Sequence, residues 1–228
     1  RLLADNQTSF SLAVVAERVE NVDVLLSAIV EILSLGPEQV ERIQAELAKR
    51  RRSDSAVVIL EALSEKQVAL LAVNRHRLRG IEVISHLIRF YPMGALAAHA
   101  VGSVRRLTKE DLETLAPVQY SGSKFVGKRG VEAFYEKSLH GKVGYQKVET
   151  DAHSRVRRVL DVQGAQTGKN LTLHLDSKLQ AASVDALAGR RGAIVALDPI
   201  TGGVLAMVSE PSYDPNLFVS GMSSSQFR

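Results

Sequence analysis

Apolar and polar positions alternate along this chain in short blocks whose period shifts between two and nearly four, as in a chain that mixes strands with helices. Phe10-Ser-Leu-Ala-Val-Val15 reads as a strand, with turn chemistry at Asp5-Asn6 before it. Val22, Leu25, Leu26, Ile29 and Leu33 fall at helical spacing, and Gly36-Pro37 stops that helix. Pro37 suits the first turn of a second helix, where its missing amide hydrogen is not needed. Val40, Ile43 and Leu47 give the second helix one narrow apolar stripe. Its acidic Glu38 and Glu41 come early and the basic run Lys49-Arg-Arg-Arg52 comes late, matching the helix dipole at both ends. The pair reads as a helical hairpin. Its 22–33 stripe has two readings, a core face or a groove for a partner helix or strand.

Val57-Val-Ile-Leu60 is a short strand candidate, and Ser64-Glu-Lys-Gln67 has capping-box form, opening a helix with Val68, Leu71 and Ala72 inward. The β-branched stretch Ile81 to Tyr91 predicts a strand ended by Pro92. Met93 to Val104 is Ala-rich and predicts a helix able to approach a neighbour closely. Thr108-Lys-Glu-Asp111 begins a short helix that ends near Pro117, and Tyr120 to Gly127 reads as a polar connector. Gly130 to Leu139 predicts a helix with Val131, Phe134, Tyr135 and Leu139 on one side. Gly144 to Gln163 and Asn170 to Leu175 read as extended, with Gly164-Ala-Gln-Thr-Gly168 as the turn between their facing ends. Asp176 is placed to cap a helix from Ser177 to Leu187.

The closing pattern is two apolar strands, Ala193 to Leu197 and Val204 to Val208, around a turn containing Asp198, Pro199, Gly202 and Gly203. Strands this apolar want cover on both faces, and a lone hairpin is marginal in water. Only 20 residues follow Val208, so the reading is of a sheet begun and not finished. No repeat and no low-complexity tract interrupts the pattern. Together these elements predict an α+β chain without βαβ regularity, divided near Gly189.

Composition adds bounds. The 228 residues hold one large domain or two small ones, and 45% apolar residues suffice for a core. With 5% aromatics and no Trp, aliphatic side chains must fill it. No run approaches the roughly 20 apolar residues of a membrane helix. There is no signal-peptide pattern, and the chain opens on Arg1, as expected of a piece trimmed at its front. The absence of cysteine removes disulfides, thiol catalysis and thiolate metal sites, and leaves the compartment open. The net charge of +4 is clustered at Lys49–Arg52, at Arg155-Val-Arg-Arg158 and at Arg190-Arg191. A basic nucleic-acid-binding module carries such clusters. Here the aromatics are not interleaved with them, so this stands as an alternative only.

Four blocks, in order, carry a resemblance. The stretch Arg191 to Asn216, with its Leu-Asp-Pro-Ile-Thr-Gly-Gly-Val-Leu-Ala-Met-Val-Ser core and Pro-Ser-Tyr-Asp-Pro-Asn ending, resembles the opening of the transpeptidase domain in class B penicillin-binding proteins. Tyr91-Pro-Met-Gly-Ala-Leu-Ala-Ala-His-Ala-Val-Gly102, Gly130-Val-Glu-Ala-Phe-Tyr-Glu-Lys-Ser-Leu-His-Gly141 and Leu171-Thr-Leu-His-Leu-Asp-Ser-Lys-Leu-Gln180 resemble that family's segments before it. Leu2-Leu-Ala-Asp-Asn6 and Leu70-Leu-Ala-Val-Asn-Arg-His76 most resemble its elongation-specific branch.

The resemblance implies an α+β pedestal with a helical head, ending in the first hairpin of a truncated transpeptidase domain. Residues 1–188 would be the non-catalytic, dimerisation-type domain, with the head inserted at about 20–90; residues 189–228 would begin the catalytic one. It implies a parent serine-type D,D-transpeptidase that acts in cell-wall elongation and cell shape. That enzyme acylates its serine with a peptidoglycan stem peptide, releases D-alanine and is trapped by β-lactams. It further implies the bacterial periplasm, an inner-membrane anchor before Arg1, and two partners, a membrane glycosyltransferase and the scaffold protein of the elongation machinery. This portion alone would be inactive and would serve to position the catalytic domain and bind those partners. No catalytic, cofactor or metal residue is expected within it.

Local motifs carry chemistry of their own. A Ser with a Lys three positions later lets the amine reach the hydroxyl, and Ser121-Gly-Ser-Lys124 matches, supporting a stand-alone Ser-Lys hydrolase as an alternative. It lies in a connector, however, and no Ser-x-Asn or Lys-Thr-Gly completes the constellation. Gly164-Ala-Gln-Thr-Gly-Lys169 is one residue short of a phosphate loop and reads as a hairpin turn. The six histidines, His76, His86, His99, His140, His153 and His174, form no metal-binding spacing, and His99 is the one expected to be buried.

Overall fold

The computed structural model describes residues 1–15, 18–19, 21–49, 56–115, 117–120, 123–151 and 156–219. These fall into two compact units, one of residues 6–88 and one of residues 1–5 with 89–228.

In the first unit the order is β1 (Asp5–Val14), α1 (Val22–Leu33), α2 (Pro37–Lys49), β2 (Val57–Leu63), α3 (Glu65–Val73) and β3 (Ile81–Phe90). The strands form one sheet, β2-β1-β3, with β1 and β2 antiparallel. Asn21 opens α1 by accepting from the amides of Asp23 and Val24, and Ser34 closes it in the left-handed region. Ser64 and Gln67 make the capping box that starts α3. These local devices satisfy helix-end amides that would otherwise have no partner.

The apolar stripe of α1 is consumed by the core except at its first member, Val22, which is exposed. Leu25, Leu26, Ile29 and Leu33 are all buried and join Leu12 and Val14 of β1, Ile43 of α2, Val57, Ile59 and Leu63 of β2, and Leu71 of α3. Fully burying each such aliphatic side chain is worth ~1.5–3 kcal/mol, so this stripe holds the unit together and is not a free groove. Two details depart from the sequence pattern. β2 runs on past Leu60 to Leu63, which pairs with Phe10 and is buried with Val57 and Ile59, through two slips of register against β1. Ala72 is exposed, as α3 commits Leu71 alone to full burial.

The second unit contains α4 (Ala98–Val101), β4 (Ser103–Arg106), α5 (Lys109–Thr114), α6 (Pro117–Tyr120), β5 (Phe125–Arg129), α7 (Gly130–Phe134), α8 (Glu136–Leu139), β6 (Tyr145–Thr150), β7 (Val156–Gln163), α9 (Ser177–Leu187), β8 (Gly192–Leu197), β9 (Val204–Glu210) and α10 (Asn216–Val219). The strands pair antiparallel as β4-β5, β6-β7 and β8-β9.

This unit departs from the sequence expectations at several elements. Met93 to Val104 is not one helix: a 3-10 turn over Gly94–Ala97 leads into a single turn of α4, and Ser103 already begins β4. Part of the supposed connector, Phe125–Arg129, is the strand β5, which β4 recruits by pairing Val104 and Arg105 with Gly127 and Val126. The helix over 130–139 breaks at Tyr135 and faces the other way; Phe134 is 81% exposed while Glu132 is buried. Finally, 144–163 folds on itself as the β6-β7 hairpin, so Gly164 to Gly168 is no hairpin turn. Instead Gln166 bridges Lys142 through two backbone hydrogen bonds of 2.9 Å, and Lys169 N donates to Ser138 O. Residues 171–176 lie outside any strand, although Asp176 N donates to Leu205 O of β9 at 2.8 Å.

Glycine is required where α4 meets α7. Gly102 and Gly130 both have positive φ, and a Cβ on Gly102 would overlap the Arg129 carbonyl.

Candidate functional site

All four blocks that carry the family resemblance converge in the second unit, around the turn 91–98. Tyr91 is its buried anchor. The phenol accepts from Val104 N at 3.0 Å and lies within the field of Glu132, which Arg89 Nε holds at 2.7 Å. Burial first, then the charge of Glu132, push the Tyr91 phenol well above its ordinary range. It is therefore fixed in its neutral form. Glu132, 3% exposed, is the buried charge that organises the cluster, and Arg89 compensates it.

Residues after the last hairpin grip the same turn from its backbone side. Asn216 Oδ1 accepts from Tyr91 N at 2.9 Å, and its Nδ2 donates to Tyr91 O at 3.0 Å. Asp214 orients that amide by accepting from its Nδ2 at 2.8 Å. Ser212 Oγ donates to Ala95 O at 2.7 Å, and Tyr213 OH to Ala98 O at 3.3 Å. The Tyr213 ring also meets His99 edge-on, with centroids 5.2 Å apart. From α9, Gln180 bonds both Leu96 and Met207. Asp176 caps α9 as its sequence position predicts, accepting from Lys178 N and Leu179 N. Those two amides hold its carboxyl below the usual range.

A second cluster lies nearby in the same unit. Tyr120 OH donates to Glu136 Oε1 at 3.2 Å, and Gly127 N donates to Glu136 Oε2 at 2.8 Å. Burial and the Glu136 charge push Tyr120 up to about 12. Ser123 Oγ and His140 Nε2 lie 2.5 Å apart, and the His140 ring stacks at a tilt on Tyr120.

For the sequence motifs, the placement is plain. Ser121 lies outside the described residues; Lys124 is exposed at the start of β5, where its carbonyl accepts from Leu107 N. His99 is half-buried, with its Nε2 buried and without a hydrogen-bond partner. Among the described residues no cluster of His, Asp or Glu could hold a metal. An indentation beside Ala95, His99, Met207 and Ser212 encloses about 160 Å³ with its mouth included, against the ~300–1,000 Å³ of ligand pockets. The unit is thus built for joining segments. Gln180 and Asn216, which do most of that joining, were not singled out in the sequence. The signals available were their places at the ends of two family-resembling blocks, a polar residue at a core-facing helical position for Gln180, and an Asn after Asp-Pro for Asn216.

The hairpin that these residues grip is open on one side. The outer edge of β9 is met by Asp176 and Gln180, whereas β8 pairs with β9 alone among the described residues, and its Ala193, Val195 and Leu197 form an exposed face.

Comparison with known proteins matches this arrangement. The family model described as the penicillin-binding protein dimerisation domain matches residues 1–173, and that of the penicillin-binding protein transpeptidase domain matches residues 192–228. The chain belongs to the penicillin-binding proteins. It is 39% identical to the peptidoglycan D,D-transpeptidase MrdA of Acinetobacter baumannii and 40% identical to that of Escherichia coli, over 99% of its length in each case. It spans 34% and 36% of those two relatives, about a third. Among solved structures it is similar to the penicillin-binding protein PBP2 of Helicobacter pylori in complex with MreC, with a TM-score of 0.83 and 28% identity, covering all of this chain and 42% of that one. The fold is the mixed α+β pedestal of PBP2.

Proposed function

We propose that this chain is the platform portion of a PBP2-like peptidoglycan D,D-transpeptidase acting in cell-wall elongation, and that it carries none of the acylating residues itself. One observation carries the reading. The hairpin matched by the transpeptidase family is tied into the 89–190 segment by Gln180, Ser212, Tyr213 and Asn216, and among the described residues β8 pairs with β9 alone, leaving an edge to which further strands can add. On this reading the platform ends near Gly189, with a head over about 20–90, and the catalytic fold begins after it. The spacing of the two family matches supports that division.

The whole enzyme acylates a serine with a stem peptide, releases D-alanine and forms the cross-link, and β-lactams trap it. It works in the periplasm, held to the inner membrane by a segment of the enzyme outside this chain. Among the described residues no helix is long and apolar enough to cross a membrane. Its partners are a scaffold protein, in line with the MreC complex of the Helicobacter pylori relative, and a membrane glycosyltransferase. Because Leu25, Ile29 and Leu33 are committed to the core, scaffold docking on the first unit must use its outward residues, such as Val24 and Val73.

Fluorescent penicillin tests the reading. The full-length protein is expected to be labelled covalently and this chain is not. Labelling of this chain, with an adduct on Ser121 by mass spectrometry, would replace the platform with the Ser-Lys hydrolase.

A further inference from the structure

The buried face of α9 is polar. Gln180 is 2% exposed, and Ser183 is buried beside it on the next turn. Burying an amide is unfavourable unless its donors and acceptor are met, and those of Gln180 are met by backbone. Its Nε2 donates to Met207 O at 2.7 Å and to Leu96 O at 2.8 Å, while its Oε1 accepts from Met207 N at 2.9 Å.

The two bonds to Met207 reproduce the exchange made by facing residues in adjacent strands. Met207 pairs with Val195 in the β8-β9 register. Since its amide and carbonyl turn to Gln180, this is the pair type whose backbone groups point away from the partner strand, and Ala206 and Val208 bond to β8. The side chain of Gln180 therefore takes the place of a strand on the outer edge of β9. Its remaining donor ties that edge to the turn Gly94–Ala97. No other common side chain does this in one planar group with two donors and an acceptor, except the shorter Asn. Glu would set a carboxylate against two carbonyls, and Met would leave all three backbone groups unmet.

We propose that Gln180 is a positioning residue for the transpeptidase: it fixes the height and register at which the first two strands of the catalytic fold ride on the 91–98 turn. This rests on the function proposed above. Without Gln180, β9 remains paired to β8 and held at Leu205 by Asp176 N and beyond its end by Ser212, Tyr213 and Asn216, but the bond pair that sets its register against α9 is lost, and the sheet behind the acylating serine is held less firmly.

The test uses the full-length protein, wild type and with Gln180→Met, and two readouts: amide hydrogen exchange, and fluorescent-penicillin acylation resolved into binding and first-order acylation. In the wild type, Met207 N–H should be protected to within about tenfold of Ala206 and Val208, although it lies on the side away from β8. In Gln180→Met it should exchange roughly 10–100-fold faster while Ala206 and Val208 stay protected. The first-order acylation constant should fall about tenfold with binding unchanged. Where Gln180→Met does not fold, Gln180→Asn, which keeps the amide one methylene short, should give the same selective pattern. Rapid exchange of Met207 N–H in the wild type overturns the proposal, as does an unchanged acylation constant in a variant whose Met207 is deprotected. A wild-type protein that fluorescent penicillin does not label would instead overturn the transpeptidase reading, and the exchange pattern would still decide the pairing.

Discussion

Glu132 carries more of the second unit than its sequence position suggests. It stands between Val131 and Ala133 at the start of a helix, where an acid is ordinary, yet it is buried against Arg89 and Tyr91. Removing one partner of a buried pair leaves the other uncompensated. Glu132→Ala is therefore expected to destabilise the unit by roughly 3 kcal/mol in urea unfolding, at the low end for such pairs since Arg89 retains some solvent. Val104 N–H, which donates to Tyr91, should lose exchange protection with it. Tyr120 gives a pH signature. Its folded value of about 12 lies above the ordinary 10.0, so the neutral phenol is favoured in the folded state. Its contribution is complete below pH 10 and is lost as pH rises towards 12. Tyr120→Phe should accordingly show a shallower loss of stability across that interval than the wild type, by chemical denaturation at fixed pH steps.

At the scale of elements, α1 separates what holds the fold from what faces outward. Ile29 is buried in the first unit's core, whereas Val24 on the same helix is 65% exposed. Ile29→Ala should cost about 2–5 kcal/mol, and Val24→Ala should stay within ~0.5 kcal/mol of wild type. If Val24 contributes to scaffold docking, its substitution weakens that binding while the melting temperature holds. The β6-β7 hairpin makes a different point. Its register leaves Val148, Val156, Val159 and Val162 together on one side, and β7 is exposed along its whole length. The pairing of two strands settles which face is apolar, and among the described residues nothing buries its β7 half.

For the whole molecule, hydrogen exchange should divide the chain as its contacts do. Ile29→Ala is expected to lower protection within 6–88 and to leave amides such as Val104 and Met207 unchanged. Protection lost equally in both units would mean that they unfold as one.

Much of this molecule was legible along the chain. The caps at Ser64 and Asp176, the stop at Gly36-Pro37, the 22–33 stripe and the closing hairpin all follow from chemistry within a few residues, and each formed where predicted. Local propensity failed where a distant partner outweighed it. Phe125–Arg129 became a strand because β4 offered it backbone bonds, and the helix over 130–139 turned Phe134 outward so that Glu132 could meet Arg89 and Tyr91.

The sequence by itself determined the α+β class and the local ends of most elements, because capping, turn chemistry and periodicity act over a few residues, and the family through four motif blocks that resemble it. Only the tertiary structure decided that Gln180 and Asn216 join segments 27 and 125 positions away. An amide's value depends on which backbone groups stand opposite it in space, and no spacing along the chain encodes that.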